Sequence, residues 1–195
     1  PDDAVGNWRL CTRQQVENCT AVGYYFAKRI HRRLRVPVGL IDISWGGTMA
    51  QHWVTKETLH GMPEMKPYFE TFDADMKKWN DGGGEAGAKQ RYAADLKKWE
   101  ADREAAKKKS QREPRRPSLN AYTFPGDKRQ PGGMINGCTM PLANCSLKGV
   151  LFYQGENNSF SVGWKPFPQT FPAVISDWRK VFRDKQLPFG LVQIA

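Results

Sequence analysis

Two stretches of the chain carry apolar residues at the spacing of an amphipathic helix. Residues 20–35 alternate an apolar stripe with basic residues, which predicts a helix that Thr20 caps and that Val36-Pro37 ends. The stripe is formed by Val22, Tyr25, Phe26, Ile30 and Leu34. A second stripe near the carboxyl end predicts another helix, whose regular part Pro168 and Pro172 should confine to its later turns. Its members are Phe167, Phe171, Val174, Ile175, Trp178 and Phe182.

Three short apolar runs predict buried strands, at residues 38–43, 149–154 and 188–194. Glycine follows the first two runs closely, in Gly46-Gly47 and at Gly155. The order helix, strand and glycine turn is typical of an α/β fold with a parallel sheet. In such folds ligands bind at the carboxyl ends of the strands, so we expect the turn of residues 44–48 at a functional edge.

Residues 65–111 have a different pattern, with sparse apolar positions at helical spacing and many charges. Asp81-Gly82-Gly83-Gly84 divides the stretch, which predicts an αα-hairpin whose second arm runs through Lys107-Lys108-Lys109. We interpret residues 65–131 as a helical insertion within a single domain that spans residues 1–195.

The composition and the charge of the chain limit the classes of function that it can have. The 195 residues are 39% hydrophobic and carry a formal net charge of +10, which suits one domain with a sizeable core. No apolar run approaches the roughly 20 residues of a membrane-spanning helix. Residues 76–129 hold 15 basic and 8 acidic residues. Such an excess suits either a solvated helical surface or a polyanion-binding one.

The cysteines and histidines give no metal-site pattern. Cys11 and Cys19 are eight positions apart, Cys138 and Cys145 are seven apart, and the three histidines stand at no zinc-finger offset from them. We therefore expect no metal and no cofactor. Whether the cysteines form one or two disulfides depends on export, which the spacing leaves open.

Two turns at strand ends carry the candidate chemistry, Ser44-Trp45-Gly46-Gly47-Thr48 and the residues after Tyr153. In this context the chain resembles the sialate O-acetylesterase group of SGNH-type (GDSL-like) carbohydrate esterases. The resemblance covers most of the chain outside the helical insertion. It rests on matching text at residues 21–26, 36–41, 44–48, 136–137, 141–142, 153–157, 177–179 and 188–189.

The resemblance implies a serine hydrolase that removes acetyl groups from sugars without a cofactor. It implies a flavodoxin-like three-layer sandwich around a parallel sheet. The family's serine lies on a Gly-Gln-Ser-Asn-like turn and its histidine in an Asp-x-x-His motif, and neither motif is present here. We therefore expect an incomplete central part of the catalytic domain, inactive alone. The resemblance also implies an acetylated carbohydrate as substrate and a periplasmic or extracellular location. From the residues themselves we expect neither a membrane nor a nucleic acid as partner.

The resemblance assigns roles to individual residues. Gly46 and Gly47 would offer backbone donors to an oxyanion, with Gly47 preferred, and Gln154 would offer its side-chain amide. Glu156 and Asn157 would support the turn or the amide. Trp45 would either stack on a sugar face or belong to the core. Without the resemblance, a Gly-Gly pair and a lone glutamine are ordinary turn and surface residues.

The alternative function is a basic polyanion-binding module, for an acidic glycan or a nucleic acid, without catalysis. It rests on the charge of the helical insertion and on the aromatic residues among those charges. These are Trp79, Tyr92 and Trp99. Because these aromatic residues recur at helical spacing, they are expected to pack against other residues of the insertion rather than to be exposed to a ligand. The sequence leaves the oligomeric state and the exact acyl sugar open.

Overall fold

The computed structural model describes residues 6–126, 130–160 and 165–193, without the side chains of residues 120 and 121. The chain divides into two compact units, residues 1–64 with 131–195 and residues 65–130. The helices in chain order are α1 (Arg13–Val16), α2 (Ala21–Leu34), α3 (Lys56–His60), α4 (Lys66–Asp81), α5 (Gly84–Lys108) and α6 (Phe167–Val181). The strands are β1 (Val150–Phe152) and β2 (Phe189–Leu191). Short 3₁₀ segments include Ala50–Trp53 and Glu156–Ser159.

Helix α2 confirms the first predicted amphipathic helix. Its start differs in detail, because the Thr20 side chain makes no capping hydrogen bond. The Thr20 N–H instead donates to Asp42 Oδ2 at 3.2 Å. A carboxylate near a helix N-terminus is stabilised by the helix dipole, so Asp42 replaces the predicted cap. The helix ends at Arg35, which has a positive φ of 59°.

The predicted strand at residues 38–43 is wrong. The segment has no regular structure, and it pairs with no strand in the part of the chain that the structure describes. Its contacts are with side chains of preceding residues rather than with a strand, since a Cβ on Gly23 of α2 would meet Leu40 at 2.9 Å and a Cβ on Gly39 would meet Trp8 at 3.3 Å. Val38 stays 39% exposed. An apolar run forms a strand only where a neighbouring strand pairs its backbone groups, and periodicity does not report on that neighbour.

The other two predicted strands are present but shorter. Strands β1 and β2 pair in parallel with Val150 opposite Phe189 and Phe152 opposite Leu191. Residue 194, the predicted end of the last strand, lies outside the described residues. The chain is thus of mixed helix and strand with a two-stranded parallel sheet, which is consistent with the α/β class. The larger three-layer sandwich is not formed by the described residues.

Helix α6 joins the two strands and supplies much of the core of its unit. Val174 and Trp178 are buried, and the Trp178 ring lies 5.9 Å from the Trp53 ring and 6.2 Å from that of Phe189. The helix begins at Phe167, so the prediction that prolines confine its regular part is wrong. Pro168 lies in the first turn, where a missing N–H breaks no helical bond, so only Pro172 leaves a carbonyl, that of Pro168, without its helical partner. Both prolines are exposed, so water can bind that carbonyl.

The second unit contains the predicted αα-hairpin. Helices α4 and α5 are separated by Gly82 and Gly83, and the positive φ of Gly83, 81°, makes the reversal. The chain then returns along α5. The Trp79 ring contacts Phe124 at 5.7 Å, and Tyr92 contacts Tyr122 at 5.2 Å. None of the helices that the structure describes combines the length and apolar character needed to cross a bilayer.

Candidate functional site

The turn after residue 44 is held by its own threonine. Thr48 is 4% exposed, and its hydroxyl donates to Trp45 O at 2.9 Å, which closes the loop across the two glycines. Gly47 has a φ of 75°, in the left-handed region where a Cβ is unfavourable. Its N–H makes no hydrogen bond with any residue that the structure describes, and the residue is exposed. The turn therefore presents a rigid backbone donor at the surface.

The Gln154 side chain joins this turn to the one after β1. Its Nε2 donates to Thr48 O at 2.7 Å and lies 3.4 Å from Asn158 Oδ1. An amide nitrogen carries two hydrogens, so the Thr48 carbonyl takes one and the second makes only the long contact. Gln154 Oε1 is buried and has no partner among the described residues. The two turns are therefore adjacent, and the Thr48 carbonyl fixes which way the amide faces.

Asn158 ties both turns to the protein interior. The residue is 2% exposed, and its Oδ1 accepts from Ala50 N at 2.8 Å while its Nδ2 donates to Gln51 Oε1 at 2.9 Å. Both partners belong to the 3₁₀ segment that follows the Gly-Gly turn. Hydrogen bonds between buried groups are costly to break, because an unpaired donor or acceptor keeps its desolvation penalty. Asn158 thus fixes the spacing between the turns.

A chain of indole hydrogen bonds connects the site to helix α6. Trp53 Nε1 donates to Thr48 Oγ1 at 3.0 Å, and Trp178 Nε1 donates to Trp53 O at 3.2 Å. Both tryptophans are almost fully buried. An indole combines a large apolar surface with one directional donor, so it can pack in the core and still orient a polar neighbour. Helix α6 therefore positions the Thr48 hydroxyl, and with it the glycine turn, through these two hydrogen bonds.

Asp177, the neighbour of Trp178, anchors α6 to helix α3. The carboxylate is 1% exposed. It accepts from the Thr55 N–H at 2.9 Å, the Thr55 hydroxyl at 2.8 Å, Thr58 Oγ1 at 3.0 Å and Lys180 Nζ at 2.9 Å. Burial alone would raise the pKa of Asp177, but the donors from Lys180, Thr55 and Thr58 outweigh burial and hold it below the ordinary value. The charged form is the one that the fold stabilises.

The structure brings some of the predicted site residues together and leaves others apart. Gly47 and Gln154 belong to adjacent turns, with Gly46 exposed and Trp45 41% exposed beside them. The side chains of Glu156 and Asn157 make no hydrogen bond or ion pair within the described residues. Asn158 and the Thr48 carbonyl brace the turn and the Gln154 amide, and the roles expected of Glu156 and Asn157 stay predictions.

Sequence reasoning missed Asn158, Asp177 and the indole chain. Asn158 stands in a polar run beside Asn157, and only the 3₁₀ turn of residues 156–159 decides which of the two points inward. The sequence could have identified Asp177, because this carboxylate lies next to Trp178 in the apolar stripe of a predicted helix. A carboxylate in that position needs partners, and Thr55 and Thr58 three residues apart supply them.

The site has no feature of a metal centre. Across residues 6–126, 130–160 and 165–193, no three His, Cys, Asp or Glu side chains converge as a metal ion would require. A cavity of about 310 Å³ lies elsewhere in the same unit, where residues 143–147 and residues near Phe182 line it. No predicted site residue lines that cavity. The candidate site is therefore an open pair of turns with backbone and amide donors, which suits stabilisation of an anion.

Among curated proteins, the sialate O-acetylesterases of mouse, rat and human are similar to this chain. Each is 26% identical, over 195, 185 and 183 residues in that order (Mus musculus, Rattus norvegicus and Homo sapiens). The similarity covers 90% of this chain but 29% of the mouse and rat proteins and 25% of the human protein. The chain thus spans less than a third of the length of these relatives. No protein-family model matches it, and no solved structure matches it significantly.

Proposed function

We propose that this chain supplies the oxyanion hole of a serine-type carbohydrate O-acetylesterase of the SGNH class. The nucleophilic serine and the catalytic histidine would lie outside these 195 residues. The observation that carries the proposal is the 2.7 Å hydrogen bond from Gln154 Nε2 to Thr48 O, which places the amide beside the turn with the unpaired Gly47 N–H. The distant similarity to sialate O-acetylesterases supports an acetylated carbohydrate as the substrate.

The proposed chemistry follows from where charge develops. Attack of a serine hydroxyl on the acetyl carbonyl forms the new C–O bond, passes the hydroxyl proton to the histidine and moves the carbonyl electron pair onto oxygen. The Gly47 N–H would donate to that oxyanion, and so would the second N–H of Gln154, which would leave its 3.4 Å contact with Asn158 Oδ1 to do so. When the intermediate collapses, the sugar hydroxyl leaves with a proton from the histidine, and water then hydrolyses the acetyl-enzyme. Donors fixed before the reaction stabilise the charge without reorganising.

The surrounding residues have roles that match their geometry. Thr48 O would hold the Gln154 amide in one orientation, and Asn158 Oδ1 would hold its second N–H only by the long contact until the oxyanion forms. Trp45, 41% exposed beside the turn, would stack on the face of the sugar ring. Glu156 and Asn157, with no side-chain partners within the described residues, would contact the substrate or the remainder of the protein.

The test measures ester hydrolysis in the protein extended by the flanking polypeptide that would supply serine and histidine. With a chromogenic acetyl ester, Gln154→Ala should lower kcat about 10²- to 10³-fold and leave KM nearly unchanged, because the lost donor acts on the oxyanion. Gln169→Ala, an exposed glutamine on α6, is the matched control and should retain full activity. Full activity of Gln154→Ala would remove Gln154 from this role. The 195-residue chain alone should hydrolyse nothing.

A further inference from the structure

The end of α5 and the segment after it carry a dense positive charge. Residues 107–116, named here the basic segment, contain six basic side chains and a single acidic one, Glu113. All six basic residues are exposed. They are Lys107, Lys108, Lys109, Arg112, Arg115 and Arg116.

Most charges of the basic segment are not neutralised by the fold. Elsewhere on α4 and α5, three lysines pair with a carboxylate one turn away, in Lys66–Glu70, Lys77–Asp81 and Lys89–Glu85. Lys78, Lys97 and Lys98 make no ion pair within the described residues, but they do not form a run as the basic segment does. In the basic segment, Lys107 has such a partner, Glu104 at 3.4 Å. The remaining five basic side chains make no ion pair with any residue between 6 and 126 or in the other described ranges. Their charge is available to a ligand.

The backbone of the basic segment is fixed by contacts to α5. Ser110, with a φ of 52°, closes the helix, and Gln111 N donates back to Ala106 O at 2.9 Å. The chain then returns along the helix, where Pro114 O accepts from Trp99 Nε1 at 2.9 Å. The Trp99 ring also contacts the guanidinium groups of Arg103 at 5.0 Å and Arg116 at 5.8 Å. A charged surface ordered in advance loses less entropy on binding.

Helix stability does not account for this arrangement. Lysines in the last turn of a helix interact favourably with its dipole, which explains Lys107 and Lys108. Arg112, Arg115 and Arg116 lie beyond the helix end, on the returning segment, where the dipole provides no such gain. Their clustering against like charges is unfavourable in the absence of a ligand.

The aromatic residues of the unit decide between ligand classes. Trp79 packs on Phe124, Tyr92 packs on Tyr122 and Trp99 contacts two arginines, and all three side chains are half-buried, so none of them is an open, fully exposed ring. Single-stranded nucleic acids bind through such open rings, whereas sulfates and carboxylates need only cationic donors. We propose that the basic segment binds an acidic glycan, a flexible polysaccharide that carries sulfate or carboxylate groups. This site is independent of the proposed esterase activity.

The first test measures binding of a fluorescein-labelled heparin oligosaccharide to the 195-residue chain by fluorescence anisotropy. If the five unpaired basic side chains each contact an anionic group, each adds roughly 0.7 to the slope of log Kd against log salt concentration. The affinity should then fall about a hundredfold between about 50 and 200 mM NaCl. Absence of binding at the lower salt concentration would overturn the proposal. So would tighter binding of single-stranded or duplex DNA of equal charge.

Two variants that each lose three positive charges distinguish binding at a defined site from attraction by the net charge of the protein. The triple variant Lys109→Gln, Arg112→Gln, Arg115→Gln should weaken binding about tenfold or more at low salt and lower the salt slope by about two. The control Lys66→Gln, Lys77→Gln, Lys89→Gln removes the same number of charges from paired lysines and should change affinity by less than about twofold. Equal losses in both variants would contradict a defined site.

A variant that keeps the three positive charges tests whether the loss of heparin binding comes from the lost charge or from a disturbed fold. Lys109→Arg, Arg112→Lys, Arg115→Lys keeps all three positive charges and should bind within about threefold of the original chain. Circular dichroism of each variant reports whether α4 and α5 remain helical. A loss of binding in this variant with full helicity would show that positive charge alone does not define the site, and the proposal would fail.

Discussion

Asn157 and Asn158 are identical neighbours, yet the fold uses them differently. Asn158 is 2% exposed and joins both turns of the candidate site, whereas Asn157 is partly exposed with no side-chain partner within the described residues. The difference arises from the 3₁₀ turn, in which consecutive side chains point about 120° apart. Because three residues complete a turn, one asparagine faces the core and the other faces away.

Asn158→Ala should destabilise its unit by about 2–4 kcal/mol, because it leaves the buried Ala50 N–H and Gln51 Oε1 unpaired. Chemical denaturation monitored by tryptophan fluorescence measures the change. Asn157→Ala is the matched control and should cost less than about 0.5 kcal/mol. Similar losses for both variants would contradict the role of Asn158 as the buried link.

At the scale of elements, helix α6 organises the site more than the sheet does. Asp177 binds helix α3, and Trp178 binds the 3₁₀ segment that follows the glycine turn. The two residues are adjacent in sequence, so a rotation of α6 would break both connections. The predicted amphipathic stripe identified the helix, but it did not show that a carboxylate within the stripe is an anchor.

Acid should weaken the anchor between α6 and α3. The pKa of Asp177 is lowered in the folded state by the donors from Lys180, Thr55 and Thr58, so its contribution is complete above the unfolded pKa of about 3.9. That contribution is lost as the pH falls through the lower folded pKa. Denaturation curves measured from about pH 7 to about pH 2 should show a decline below about pH 4.

Asp177→Asn should lower stability at neutral pH by about 1–3 kcal/mol, since it loses the charge and one acceptor oxygen. Its stability should decline less in acid, so that the curves of the two proteins converge at low pH. Glu57→Gln, an exposed acid on α3, is the control and should keep the acid decline of the original chain. An undiminished acid decline in Asp177→Asn would show that another group controls it.

For the whole molecule, the four thiols differ in exposure and in pKa. All four cysteines are free, with Cys11 and Cys145 exposed and Cys138 buried. Burial raises the pKa of Cys138. Burial also raises the pKa of Cys19, together with the charge of Asp42 and the neighbouring Cys11 thiol.

Alkylation at about pH 7.5 followed by mass spectrometry should modify Cys11 and Cys145 first. Cys138 and Cys19 should react more slowly, because the thiolate is the reacting form and a raised pKa reduces its population. Denatured protein is the control, in which all four should react at similar rates. Failure of Cys11 and Cys19 to react even when denatured would indicate a disulfide and contradict the free thiols.

The sequence by itself determined the local elements and the chemical types at the site. Apolar periodicity predicts α2 and α6, and the glycines predict the hairpin reversal. Gly47 and Gln154 are singled out by the resemblance to a known family, carried by short stretches of sequence around them. These features depend on neighbours within a few residues, which is why pattern reasoning found them.

Only the tertiary structure decided which residues hold the site together. Residues 38–43 and β1 are both apolar runs, but β1 has a partner strand to pair with and residues 38–43 have none among the described residues. Asn158 meets Ala50 across 108 positions, and Asp177 meets Thr55 across 122. Contacts at such separations depend on how the elements pack, because no local pattern specifies which distant donor will reach a buried acceptor.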